Sequence, residues 1–292
     1  MSICDRGNRT SCDRWLVVTL LLVMLATTPQ TIATASGKND DASPGAQARD
    51  QVVVLHGLGR SARAMWLLAR RIENAGFEVH NLDYPSTKEP IPELVERLAE
   101  HVDTCCSSPE RSVHFVTHSL GGVLVRAYFQ KKRPSNLGRV VMLSPPNQGS
   151  ELVDPFSSHP LFRWMTGPVA HVLGTGSESL PRRLGPADFE LGIITGNRSI
   201  NPMASWMITG EDDGTVSVES ARLVGMADFL VVPKTHTFIM NSSEVAGEVV
   251  HFINNGEFSS KASRSMSSSA ALDETTAQTF ASDNTLHQRV TP

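Results

Sequence analysis

The chain has 292 residues, 40% of them hydrophobic and 19% charged, with a formal net charge of −4. That is enough for one large domain or two small ones, with the composition of a globular protein that buries a sizeable core. A negative balance with no long basic run excludes nucleic acid as the expected partner.

Arg6, Arg9 and Arg14 precede the apolar run "WLVVTLLLVMLA" (15–26), and Ala33 and Ala35 follow it. A basic stretch, an apolar core and an A-x-A site make the pattern of a secretory signal. The core is shorter than the roughly 20 residues that span a bilayer. Residues 1–35 are therefore expected to be a cleaved signal peptide, with the mature protein exported to the periplasm or the exterior. The alternative is an uncleaved N-terminal membrane anchor. No Cys follows the apolar run, which argues against a lipoprotein signal.

Residues 36–50 are polar and turn-rich, a linker. From there strands and helices alternate. "QVVVLHG" is a short continuous apolar run, as expected of a strand buried on both faces. Met65, Leu68, Ala69 and Ile72 then repeat at helical spacing. "FEVHNLDY" is the next strand, and Ile91, Leu94, Val95, Leu98 and Val102 mark an amphipathic helix. Cys105 and Cys106 are expected to close that helix before "SSPER". With Cys4 and Cys12 lost in the signal, they are the mature chain's only cysteines. Adjacent cysteines bridge poorly, since disulfide geometry prefers well-separated Cα atoms. No disulfide framework is expected despite export, and metal or redox work by the pair lacks a partner cluster in the sequence.

"SVHFV" is a strand, a helix starts at Leu120, and "RVVML" is the following strand. Later, "SWMITG" and "DFLVVP" read as strands, and Val245, Val249, Val250 and Ile253 mark a closing helix. Repeated β-α units imply a mainly parallel sheet with helices on both faces, an α/β fold over 51–256. Residues 150–190 break the rhythm, holding Phe156, Leu161, Phe162, Trp164 and Met165 among prolines and glycines. They read as an insertion over one end of the sheet, either a lid or acyl-binding wall, or packing of a crossover segment. Residues 257–292 are rich in Ser, Thr and Ala and are expected to be disordered.

Ligands of an open parallel sheet bind beyond the carboxyl ends of its strands. Ser119 falls at such an end, in Thr117-His118-Ser119-Leu120-Gly121. A strand that reverses sharply into a helix needs small residues either side of the exposed Ser, the G-x-S-x-G elbow. The trailing glycine is present and Thr117 stands where the leading one is expected. Hydrolysis through an oxyanion also requires a base, a carboxylate to orient it, and amide donors. "EDDG" supplies Asp213 as the chosen acid, with Asp212 as runner-up. "DFLVVPKTHTF" supplies His236 just after a strand, whereas His251 lies on the closing helix. His118 is expected to line the pocket or pack under it rather than to act as base. "HGLG" places Leu58 on a glycine-rich loop, so the Leu58 and Leu120 amides are the expected oxyanion donors. Phe162 and Trp164 are expected to contact substrate.

"HGLG", "THSLGG", "SPPNQGS", "EDDGTVSVES" and "PKTHTF" together resemble the α/β-hydrolase superfamily, in particular its bacterial lipase-like serine esterases. The resemblance covers 51–256. It implies that Ser119 attacks a carboxylic ester, that His236 shuttles the proton and that Asp213 orients His236. It implies no metal and no organic cofactor. The expected partner is a small-molecule or lipid ester, with transient contact to a membrane or lipid surface. Two alternatives share the scaffold: an acyltransferase using the same acyl-enzyme, and a non-catalytic binding protein.

Overall fold

The computed structural model describes residues 49–154 and 166–259. The signal peptide and Phe162 and Trp164 therefore lie outside the described residues, as does nearly all of the expected linker and tail. Six strands, β1 (Gln51–Leu55), β2 (Glu78–Leu82), β3 (Val113–His118), β4 (Leu137–Leu143), β5 (Leu191–Gly196) and β6 (Asp228–Val232), form one sheet in the order β2-β1-β3-β4-β5-β6. Every pairing is parallel.

Parallel strands need crossovers, and these supply the covering layers. Helices α1 (Ala62–Asn74) and α4 (Ser243–Asn255) cover one face, burying Met65, Leu68, Ile72, Val245, Val249 and Phe252 against Val52, Val54, Val116, Val141 and Ile194. Helices α2 (Ile91–Cys105) and α3 (Leu120–Lys131) cover the other, against Val53, Leu55, Phe115, Val140 and Ile193. Successive strand residues point to opposite faces, so a continuous Val/Leu run such as 52–55 feeds both cores at once. Of the 150–190 segment, Val153, Val169, Leu173 and Leu184 are buried in the α2–α3 core.

Two expectations are corrected. "SWMITG" is not a strand. Pro202–Met207 is a short helix, capped by the Asn201 side chain, which accepts from the Ala204 amide at 3.2 Å. Pro202 at its start loses no hydrogen bond, because the first helical amides have no partner inside the helix. The fifth strand is instead "LGIITG" (191–196). Cys105 and Cys106 do end α2, but they are joined by a disulfide, contrary to expectation. Cys106 leaves helical geometry (φ −128°, ψ 27°), which lets neighbouring side chains meet although their Cα atoms are only 3.8 Å apart.

Candidate active site

The turn from β3 into α3 is built from steric demands. The Ser119 amide donates to Leu143 O at 2.9 Å, extending the β3–β4 ladder by one residue before the chain reverses. Reversal puts Ser119 at φ 53°, ψ −120°. Positive φ in a non-glycine residue costs about 1–3 kcal/mol and persists only where the surroundings over-determine it. Gly121 provides that constraint. A Cβ there would stand 3.0 Å from Leu55 O, His56 O and Leu55 Cβ, so only glycine lets α3 start against the end of β1. A Cβ on Gly122 would stand 3.1 Å from Met142 Sδ and 3.2 Å from Pro145 Cβ. Thr117 needs no such allowance, since it is a fully buried residue in regular strand register with Leu55 and Met142.

The loop after β1 is fixed by His56, which is fully buried and stacked on Tyr84 with ring centroids 4.1 Å apart. Its Nδ1 donates to Gly57 O at 2.9 Å, and its Nε2 accepts from the Tyr84 amide at 3.3 Å. Tyr84 in turn donates its hydroxyl to His56 O. Burial pushes the His56 pKa down despite the Asp83 carboxylate nearby, which suits the neutral tautomer this bonding requires. Gly59, at φ 66°, donates its amide to Ser86 Oγ at 3.0 Å. The loop so held carries Leu58. The Leu120 amide is one of the first of α3, which have no intrahelical acceptor.

Asp213 and His236 arrive from the carboxyl ends of β5 and β6. His236 Nδ1 lies 2.8 Å from Asp213 Oδ2, and the His236 amide donates to Asp213 O at 2.9 Å. The other carboxylate oxygen, Oδ1, accepts from the Thr215 and Val216 amides at 3.0 and 2.9 Å. Burial alone would raise the Asp213 pKa. The His236 charge and hydrogen bond, with the Val216 amide, outweigh it and hold the carboxyl below its usual range. Gly196 ends β5 with room for no side chain, since a Cβ would meet Lys234 O at 2.2 Å and Asp213 Cβ at 3.0 Å. Asp212, the runner-up, faces elsewhere. Its Oδ1 accepts from Ser205 Oγ at 2.8 Å and from the Gly214 amide at 2.7 Å.

His118 lines the cavity from a buried position. It is 2% exposed, and its Nε2 donates to His236 O at 2.9 Å, with the two rings 4.8 Å apart. Burial, and then the neighbouring His236, push its pKa down to about 3, so it stays neutral. It holds the backbone of His236 and offers no proton.

Ser119 and His236 line one cavity of about 250 Å³. Leu58, Pro146, Val153, Leu173 and Val216 give it apolar walls, and Arg60 and Thr237 reach its rim. The structure thus brings Ser119, Asp213, His236, His118, Leu58 and Leu120 to one end of the sheet. Sequence reasoning missed Ser144, a fully buried residue at positive φ (48°) near the Asp213 carboxylate. Its position at the carboxyl end of β4, in the same "SPPNQGS" that carries the family resemblance, was the available signal. It also missed Val153 and Leu173 as pocket walls.

The sequence model of the alpha/beta hydrolase family matches residues 52–246. Among solved structures, the mature lipase BlEst2 of Bacillus licheniformis is similar over 66% of this chain and 87% of its own, with 20% identity and a TM-score of 0.53. Phospholipase PlaB from Legionella pneumophila is similar over 72% of this chain and 60% of its own, with 17% identity and a TM-score of 0.57. The metagenomic carboxyl esterase MGS0156 is similar over 64% of either chain, with 18% identity and a TM-score of 0.53. The chain thus spans less than two thirds of the length of these last two. At such identities the likeness is one of fold. No curated protein matches the chain. The matched span runs from β1 into α4 and takes in every strand together with Ser119, Asp213 and His236; the chain belongs to the alpha/beta hydrolase family.

Proposed function

We propose that this chain is an exported serine hydrolase that cleaves carboxylic esters through an acyl-enzyme on Ser119. The observation that carries the proposal is the 2.8 Å bond from His236 Nδ1 to the buried Asp213 carboxylate, with His236 lining the same cavity as the strained Ser119. Asp213 fixes the tautomer of His236, leaving Nε2 to take the proton from Ser119 Oγ as it attacks the ester carbonyl. The oxyanion that forms is held by the Leu58 and Leu120 amides. His236 then protonates the leaving alcohol, and water repeats the sequence to release the acid.

The substrate is a small-molecule or lipid ester. Apolar walls at Leu58, Val153, Leu173 and Val216 suit an acyl chain, and the similar folds include a lipase, a phospholipase and a carboxyl esterase. In this reading the described part of the 150–190 segment, through Val153 and Leu173, forms the acyl-binding wall, and residues 1–35 direct export. Contact with a lipid surface is transient.

A fluorophosphonate probe tests the nucleophile directly. The expected result is one covalent adduct per chain, on Ser119, and none on Ser119→Ala. A folded chain that takes up no probe would favour a binding role on a hydrolase scaffold. Product analysis with an added alcohol separates hydrolysis from acyl transfer.

A further inference from the structure

We propose that the dithiol form of this chain binds a divalent borderline cation, Zn²⁺, through His80, His101 and the Cys105 thiolate, none of which lines the Ser119 cavity. His80 lies on β2, the edge strand, with its ring centroid 5.9 Å from that of His101 on α2. His101 and Cys105 are four residues apart on α2, one turn apart on one face. One ligand atom from each of the three lies within 4.8 Å of the other two. A tetrahedral zinc ion holds such ligands about 3.3–3.8 Å apart, so side-chain rotations of about 1 Å close the set.

The polar surroundings fit a missing ligand. His101 Nε2 is buried and has no hydrogen-bond partner among the described residues. His80 Nε2 stands 3.2 Å from Gln51 Nε2, a donor, and 3.2 Å from Glu78 Oε1, an acceptor. One tautomer cannot satisfy both. A cation on His80 would leave Gln51 its bond to Cys105 O at 2.7 Å and Glu78 its pairing with Arg111. Ligation requires neutral imidazoles and a thiolate. Water, or Glu78 after a change of rotamer, fills the fourth position.

In the disulfide form Cys105 has no thiolate to offer, so the Cys105–Cys106 bond and the metal exclude one another. A phosphine reductant, which takes oxygen from water, leaves two thiols. Cys105 then gives its proton to solvent as the metal binds.

The test is titration with Co²⁺, whose bond to a thiolate produces a near-ultraviolet charge-transfer band. The full chain carries Cys4→Ser, Cys12→Ser and Cys106→Ser, so that Cys105 is its only thiol. The expected result is a band saturating at one Co²⁺ per chain, lost in Cys105→Ser. Affinity should weaken at least about tenfold in His80→Ala and in His101→Ala. The same band should appear in the Cys4→Ser, Cys12→Ser chain that keeps Cys106 only after phosphine treatment, which serves if Cys106→Ser does not fold. No band in a cooperatively folded chain with a free Cys105 would overturn the proposal. So would a band that neither histidine substitution weakens.

Discussion

The nucleophile and the acid reach the same cavity by different physical means. Ser119 is placed by regular elements: a strand ladder on one side, a helix on the other, and a glycine that lets them touch. Asp213 is placed by a loop, held by the Thr215 and Val216 amides, the His236 amide and the His236 ring. The first arrangement is steric and tolerates no added atoms. The second is a set of hydrogen bonds, in which the chemistry of one side chain matters more than its volume.

Four substitutions sharpen that contrast. Exchanging the acid should have the largest effect. Asp213→Asn keeps the shape but lets His236 take the wrong tautomer, and kcat for ester hydrolysis should fall by about 10⁴-fold. Asp212→Asn, whose carboxylate serves Ser205 and Gly214, should leave kcat within about threefold while losing roughly 1 kcal/mol of stability. Equal losses of kcat in the two variants would break the assignment.

Gly121→Ala should come next. Its Cβ meets backbone rather than a flexible side chain, so α3 must move, costing about 1–3 kcal/mol in denaturant unfolding. Because that movement shifts Ser119 and the Leu120 amide together, kcat should fall with it. A neutral substitution would show that the turn is looser than its contacts imply.

His118 should have the smallest effect, and one that depends on pH. Its folded pKa, about 3, lies below its unfolded value of about 6.5. The neutral form is favoured by folding, so stability is complete above pH 6.5 and is lost as pH falls towards 3. At pH 5 the loss is about 2 kcal/mol relative to pH 7. Asp213, with its lowered pKa, adds a loss of the same sign only as pH falls below the usual carboxylate range. His118→Gln should flatten the decline between pH 7 and 5 in thermal unfolding curves, while an unchanged profile would place the titration elsewhere.

The same contrast explains what could be read from sequence. The Ser119 elbow was legible because its requirements are compositional: an apolar strand, a Ser, a glycine two residues on, an apolar helix. Strands β1, β3, β4 and β6 were legible as apolar runs for the same reason, and β2, Glu78–Leu82, lay within the expected strand "FEVHNLDY". The fifth strand was not, because "SWMITG" and "LGIITG" are equally apolar over six residues. Asn201 and Pro202, an N-cap and a first-turn proline, were the local signal that the former opens as a helix. Asp213 was named, but "EDDG" alone could not separate it from Asp212, since the choice rests on backbone amides of a loop. The bonding of Cys105 to Cys106 was missed because it depends on one residue leaving helical geometry.

The central claim is that Ser119 carries an acyl group during ester hydrolysis. The most direct measurement is turnover of p-nitrophenyl esters, from short to long acyl chains, by the protein and its Ser119→Ala variant. The account predicts hydrolysis by the former with a definite chain-length optimum, and a loss of at least about 10⁴-fold in kcat in the latter. Full activity in a folded Ser119→Ala variant would contradict it.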